Sequence, residues 1–476
     1  MEARTAIEQW GISLAEVGQL GERLTRFYER FRGYTQTQTR DTSEYGLGYL
    51  SGLLRMETKR NLANVGRKTA MPGQNLQHFI SNSPWSGPGL IEAIQNEIKM
   101  HPAFHDAVLV LDESADAKAG EQSAGAGRQH NGRLGTIDVS QVGVFLSLVT
   151  PQVNTWIDGE LFIPAHWFEA SAAEKCKAVG ISSQRVFQTK PELGWQMIQR
   201  VRARNIPFHA VLMDSLYGRN EALRQRLQQA QIEYYGDVPA NTQVFLQQPH
   251  LVYPLTPKRG VPSKNPVFAG AEPYEVQAVG QHATLAWETI RLRPNERGFL
   301  EAQFARCRVW VVYPGQQLRQ EWLLIRKDPV QITYVLSNAS EAISLEQMAW
   351  RKSQRYLIER SNQDAKDELG WDEFQARKYR AWEHQLALTV LAAWFIAETR
   401  LDWVQRLKQD PDLLTQYEVE VLPQLSVGNV RELLRAALPL PQLSTEEAAQ
   451  LVVTHLVNRT RSRKSRLRKA KGRPDA

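Results

Sequence analysis

Cysteine is almost missing from this chain, with Cys176 and Cys307 the only two among 476 residues. They stand far apart and outside any CxxC spacing, so neither a disulfide framework nor a zinc ribbon can be built, and a reducing compartment is the natural setting. The first residues, Met1, Glu2, Ala3 and Arg4, open neither the basic start nor the apolar core of a signal peptide, so no export is expected. Long apolar runs are missing too. The longest, residues 386–397, is a dozen residues including Trp394, well short of the roughly 20 that cross a bilayer, and reads as a buried helix. Gly125 and Gly127 precede no Lys-Ser or Lys-Thr and form no phosphate loop. His101 and His105 share helical spacing but lack the glutamate and third ligand of a zinc protease. There is no internal repeat.

What is present is length, with 42% hydrophobic residues, enough for a sizeable core and about two to four domains. The net charge of +7 is unevenly spread: residues 458–473 carry nine Lys or Arg and no acid. Without those nine and Asp475, the body holds 49 basic against 50 acidic residues. A near-neutral body with a basic, disordered tail points to a polyanionic partner touched by local patches and a flexible arm.

To about residue 100 the pattern is helical, with Leu20, Leu24, Phe27 and Phe31 at three- and four-residue steps. A Ser/Pro/Gly cluster around Trp85 punctuates it. Arg23, Arg26, Arg30, Arg32, Arg55, Lys59 and Arg60 make this module a candidate DNA-binding region. Then Val108, Leu109, Val110 and Leu111 form a continuous apolar run that stops at Asp112, the pattern of a buried strand ending in an acid. Strands are expected over residues 141–149 and 155–163, the second with a possible turn at Asp158 and Gly159. A helix starting at Pro191 and running to 204 follows. The apolar run ended by an acid then repeats at residues 210–213 and Asp214. A helix over 219–230 and a strand over 232–235 complete a mixed α/β order, in which acids at strand ends occupy the customary place for chemistry. Residues 237–331 lose the helical period and read as a β-rich insertion. Helix returns at Ser344, with a long stretch over 345–366, and capping boxes are expected at Asn429 with Glu432 and at Ser444 with Glu447.

Two acids each ending a strand, and a third on a later helix, suit divalent metal. Carboxylates of Asp112, Asp214 and Glu359 are the candidate ligands for two ions about 3.5–4 Å apart. Asp112-Glu113-Ser114 with Lys118 and Gly120, Gly127-Arg128-Gln129 with Gly132, and Gln141-Val142-Gly143-Val144 resemble the first catalytic block of the insertion-sequence transposases classed as DDE superfamily endonucleases. Phe187-Gln188-Thr189-Lys190-Pro191-Glu192-Leu193 and Asp214-Ser215-Leu216-Tyr217-Gly218 resemble the second. Arg355, Ile358-Glu359, Gln363, Ala365-Lys366, Glu368-Leu369-Gly370 and Trp382 resemble the third, in which Arg, three residues, Glu, six residues, Lys recurs. Glu359, Gln363, Lys366 and Gly370 are expected on one helical face. Lys352 stands where the family often has Tyr. The resemblance spans Tyr49 to Glu398.

The resemblance implies a ribonuclease H-like α/β core, a mixed sheet interrupted by an all-β insertion, with helical N- and C-terminal regions. The corresponding division is 1–100, 101–236, 237–331, 332–410, 411–457 and the tail 458–476. It implies a DNA transposase that cuts the ends of an insertion sequence and joins 3′-hydroxyls to target DNA with two Mg²⁺, for which Mn²⁺ substitutes. Catalytic and metal-binding roles fall to Asp112, Asp214 and Glu359. Lys118, Arg128, Lys190, Arg355 and Lys366 are candidate DNA contacts, alongside Arg133 and Arg219, which would position the backbone. Trp287, Trp310 and Trp322 are candidate platforms for an unstacked base, each also a candidate core residue. A homodimer on paired DNA ends, in the cytoplasm and on the nucleoid when bound, is expected. Two other readings stay open: a catalytically silent DNA-binding protein derived from a transposase, and a nuclease of the same fold acting on RNA–DNA hybrids.

Overall fold

The computed structural model describes residues 14–404 and 426–438, apart from 132–134, 253–266, 282–284 and 296–297, together with scattered positions from 446 on. The expected cap at Ser444, most of the basic tail and Arg133 lie outside the described residues; Thr460, Arg461, Arg463 and Lys464 of the tail are helical and exposed.

The N-terminal part is helical, as its periodicity predicts. Helix α1 (Leu20–Glu29) buries Leu20, Leu24, Phe27 and Tyr28, and α2 (Ser43–Arg55) and α3 (Gly87–Met100) follow it. Arg55 is buried and donates to the Leu438 carbonyl at 2.6 Å. Arg60 is buried with its guanidinium on the Met56 and Asp367 carbonyls and on Glu373. Arg23 pairs with Asp402 at 2.5 Å and Arg30 with Glu398 at 2.8 Å. These four guanidiniums join distant parts of the chain, Arg55 and Arg60 from buried positions, while Arg26, Arg30, Arg32 and Lys59 remain exposed.

Among the described residues twelve strands form one mixed sheet. Its first strands are β1 (Val108–Ala117), β2 (Gly127–Asn131), β3 (Thr136–Val149) and β4 (Asn154–Phe162). Helix α4 (Lys190–Ala203) then leads to β5 (Ala210–Met213). Thr189 caps α4 with a capping box to Glu192, and Pro191 occupies its first turn. A short helix α5 (Ser215–Gly218) and α6 (Glu221–Gln229) return the chain to β6 (Glu233–Val238). After β7 (Gln243–Phe245), strands β8 (His250–Val252) and β9 (Val267–Ala269) pair separately. Strands β10 (Pro273–Glu275), β11 (Glu288–Asn295), β12 (Gly298–Tyr313), β13 (Gln317–Lys327) and β14 (Ile332–Ser337) complete the sheet. Its order is β10-β7-β12-β13-β14-β6-β5-β1-β3-β2, with β11 beside β12 and β4 beside β3. The long hairpins of residues 288–337 therefore hydrogen-bond through β14 to β6 and extend the central sheet, and this stretch makes no second sandwich layer of its own.

The parallel centre, β1-β5-β6, is buried on both faces. Leu109 and Leu111 face a core shared with the helices, whereas Val108 and Val110 face a second core with Met348 and Ile358. That is why the run reads as unbroken apolar sequence. The first core is closed by α9, which comes after α7 (Leu345–Ser353) and α8 (Tyr356–Gln363) and spans Tyr379–Val404. Residues 386–397 lie inside α9 and are almost wholly buried, and no described helix is long and apolar enough to cross a membrane.

Several local expectations differ. Strand β1 does not stop at Asp112 but continues to Ala117, because β3 accompanies it along its whole length; only the β5 pairing ends at Leu111. Asp158 and Gly159 form no turn: the β3–β4 register shifts beside them, a bulge within a continuing strand. The stretch 345–366 breaks between α7 and α8 and passes into a π-helical turn over Asp364–Glu368. The last described helix, α10 (Val427–Ala437), is capped by Ser426 with Asn429 as the reciprocal partner, so the box sits three residues earlier than expected.

Under β12 and β13 lies a buried polar chain. Arg224 of α6 donates to the Tyr313 hydroxyl at 3.4 Å, Tyr313 reaches Glu321, and Tyr234 of β6 bonds Tyr313 at 2.8 Å. It couples the long hairpins to the parallel centre, and Arg224 and Glu321 are almost fully buried. Arg224→Met leaves Glu321 buried without its cation and is expected to cost about 3–5 kcal/mol in urea unfolding. A wild-type midpoint would show that the junction does not depend on this pair.

Candidate active site

Side-chain alternation sets the site. On β1, Asp112 shares the parity of Val108 and Val110; on β5, Asp214 follows Ala210 and Leu212; on β6, Asp237 follows Tyr235. All five apolar residues belong to the second core, so the three acids emerge on that one face. Because β1, β5 and β6 are parallel and in register at Leu111, Met213 and Gly236, Asp112, Asp214 and Asp237 form a row across adjacent strands, one residue past the paired positions.

Each acid is held differently. Asp214 caps α5, its Oδ1 accepting from the backbone N–H of Leu216 at 2.9 Å and of Tyr217 at 3.2 Å. Gly218 ends that short helix against β6, where an added Cβ would stand 2.1 Å from the Asp237 carbonyl oxygen; only glycine lets the two backbones approach this closely. Asp112 Oδ1 accepts from the Glu113 N–H at 2.8 Å, and Asp112 Oδ2 accepts from Asn362 Nδ2 at 3.2 Å. The Asn362 amide is itself oriented by Trp156, whose indole N–H donates to its Oδ1 at 3.0 Å. Trp156 stacks on Phe145, the residue paired with Asp112 across β3.

Asp112 and Asp214 line a cleft of about 420 Å³ together with Glu113, His130, Arg219 and Lys366. Burial, and next the charge of Asp214, push the Asp112 carboxyl up to about 7, and burial raises that of Asp214. The buried Tyr217 hydroxyl has no hydrogen-bond partner among the described residues, and after burial the acids Glu113, Asp112 and Asp214 raise its pKa. Two crowded carboxylates beside an unpartnered buried hydroxyl fit a divalent cation with its water.

Glu359 stands apart. It lies on α8, with its side chain 54% exposed and its Oε1 3.1 Å from Arg355 Nη2, and it does not line the cleft. Among the described residues no three His, Cys, Asp or Glu side chains are gathered closely enough to hold a metal. Arg355 also reaches Asp237, Nε to Oδ2, at 3.2 Å. Although burial opposes its charge, Asp237, Glu359, Asp112 and Asp214 raise its pKa.

Of the other expected residues, Lys366 lines the cleft and donates to the Ala115 carbonyl at 3.1 Å. It arrives on the π-helical turn, while Gly370 is already left-handed with φ +69°, so the single helical face does not extend to Gly370. Lys190 pairs with Glu113 at 2.7 Å. Lys118 pairs with Asp116 and donates to the Phe374 carbonyl at 3.0 Å. Arg128 is exposed on β2. Trp322 lies beneath the guanidiniums of Arg306 and Arg308, 4.3 and 4.9 Å from its ring centre. Trp287 packs on the core under the hairpins, and Trp310 is half-buried on β12. Asn362, His130 and Asp237 escaped sequence reasoning. Asn362 was within reach of it, three residues after Glu359 on the same helix.

The chain matches the family described as DDE superfamily endonuclease over residues 26–298, more than half of its length, and belongs to that family. The matched span holds Asp112 and Asp214 and ends before Glu359. The probable transposase for insertion sequence element IS701 of Microchaete diplosiphon is 23% identical over 322 residues, covering 64% of this chain and 69% of that protein.

Asp112 contributes to the pH dependence of stability in one direction, as do the raised carboxyls of Glu383 and Asp364. The folded pKa of Asp112 lies above the ordinary 3.8, so the folded state binds the extra proton; stability is fullest near pH 4 and is lost as pH rises to about 7. Melting of metal-free protein is expected to show that decline, and Asp112→Asn to make it shallower, the raised carboxyls of Glu383 and Asp364 supplying the remainder. An identical profile in the variant would contradict the assignment.

Proposed function

We propose that this protein is a DNA transposase of an insertion sequence, cutting the element's ends and joining the freed 3′-hydroxyls to target DNA. The observation that carries the proposal is the Asp112–Asp214 pair on adjacent parallel strands of a DDE superfamily endonuclease, with a likeness to a probable transposase beside it. The core is taken as ribonuclease H-like, with residues 237–331 as its insertion. Asp112, Asp214 and Glu359 would hold two Mg²⁺, or Mn²⁺. Bound there, such ions supply an activated hydroxyl nucleophile and stabilise the leaving oxygen.

The chain's own residues do the rest. Asn362 and the Glu113 N–H turn Asp112 into the cleft, and the α5 backbone fixes Asp214. Arg219, Lys366 and His130 line the same cleft and would take DNA phosphate, with Arg128, Lys118, Lys190 and Arg355 as further candidates; such contacts fix register without reading sequence. Trp287, Trp310 and Trp322 are the candidates for stacking on an unpaired base. The protein acts where the element's DNA lies, in the cytoplasm. One observation favours a silent DNA-binding protein instead: Glu359 is paired to Arg355, outside the cleft.

Labelled duplexes carrying the element's ends separate these readings. Wild type is expected to cut at the boundary with Mg²⁺, to stop with EDTA, and to lose at least about a hundredfold in rate on Asp214→Ala. Binding of the ends without cutting under Mg²⁺ or Mn²⁺ would overturn the enzyme in favour of the silent protein. Sedimentation of the end-bound protein is expected to give two chains; one chain would remove the dimer.

A further inference from the structure

Asp237 completes a row of acids with Asp112 and Asp214, yet each of its oxygens already lies beside a cation. Its Oδ1 lies 2.5 Å from Lys352 Nζ and its Oδ2 3.2 Å from Arg355 Nε. Lys352 has only 8% of its side chain exposed and reaches Asp237 from α7. A buried ammonium needs a counter-charge, so Asp237 is locked in place. Arg355 opens α8 as its N-cap residue, and one turn later its Nη2 holds Glu359 at 3.1 Å. The chain of contacts runs Lys352, Asp237, Arg355, Glu359, from the buried interface of α7 to the third candidate ligand.

We propose that Asp237 is the positioning residue for Glu359: clamped by Lys352, it holds the Arg355 guanidinium and through it sets where the third carboxylate stands relative to the Asp112–Asp214 pair. Asp237 is thus a counter-ion and not a fourth metal ligand. The proposal rests on the transposase reading.

The test uses full-length protein and three readouts: thermal melting, Mn²⁺ affinity by paramagnetic resonance, and kcat and KM for cutting end DNA. Asp237→Asn with Lys352→Met removes the buried pair as a unit and avoids a lone buried ammonium. This double variant is expected to melt close to wild type and to keep its KM for DNA. It should lose about ten- to hundredfold in kcat and in Mn²⁺ affinity, as supporting residues of metal sites do. Adding Glu359→Gln to it should change little beyond Glu359→Gln alone, since both act through one carboxylate. Wild-type affinity and kcat in the double variant, or losses that add in full to those of Glu359→Gln, would overturn the proposal. Should the double variant fail to fold, Asp237→Glu keeps the charge and displaces Arg355 by one methylene; unchanged Mn²⁺ affinity there would overturn the proposal equally. A wild-type protein that neither binds Mn²⁺ nor cuts would instead bring down the transposase reading, and this inference with it.

Discussion

Two carboxylates cannot be set side by side in a protein interior without something to answer their repulsion, and most of the surroundings of Asp112 and Asp214 follow from that. The parallel pairing of β1 and β5 aligns Leu111 with Met213, and strand alternation turns the next residue of each toward one face. Burial and mutual charge leave Asp112 with a carboxyl pushed up to about 7. The fold answers with cations on the covering helices: Arg355 and Lys352 over the row of acids, Lys366 at the cleft, Lys190 on Glu113.

These cations are not equivalent. Lys352 is buried and committed to Asp237, while Arg355, 23% exposed, is shared among acids that include the candidate ligand Glu359. Stability and chemistry therefore meet on one short piece of chain, where α7 breaks and α8 begins. The π-helical turn after α8 brings Lys366 to the cleft by local underwinding of the helix path, a departure that tends to accompany functional sites. Behind them, Trp156 and Phe145 form a rigid shelf that orients Asn362 and so Asp112.

Sequence patterns made the parallel centre legible, because strands buried on both faces must read as unbroken apolar runs, and those at 108–111 and 210–213 were followed by acids. The helical N-terminal part and the buried helix over 386–397 were legible for the same kind of reason, their apolar periodicity. What stayed hidden depends on partners distant in the chain. Nothing local says that β3 would carry β1 past Asp112, or that β14 would join the hairpins of residues 288–337 to β6. Arginines of the N-terminal helices read as a basic surface, yet Arg23, Arg30, Arg55 and Arg60 found acids or carbonyls elsewhere in the protein. Spacing placed Glu359 beside the other two acids; its carboxylate is paired with the Arg355 guanidinium, four residues earlier, and does not line the cleft. Asp237 was not legible as a site residue, since its partners, Lys352 and Arg355, lie more than a hundred residues away in the chain.

The central claim is that Asp112 and Asp214 form a divalent-cation site. Anomalous diffraction from crystals soaked in Mn²⁺ tests it most directly. A manganese peak between the two carboxylates, lost in Asp214→Ala crystals, is the predicted result. Ordered Asp112 and Asp214 side chains with no peak between them, at Mn²⁺ concentrations that support DNA cutting, would contradict it.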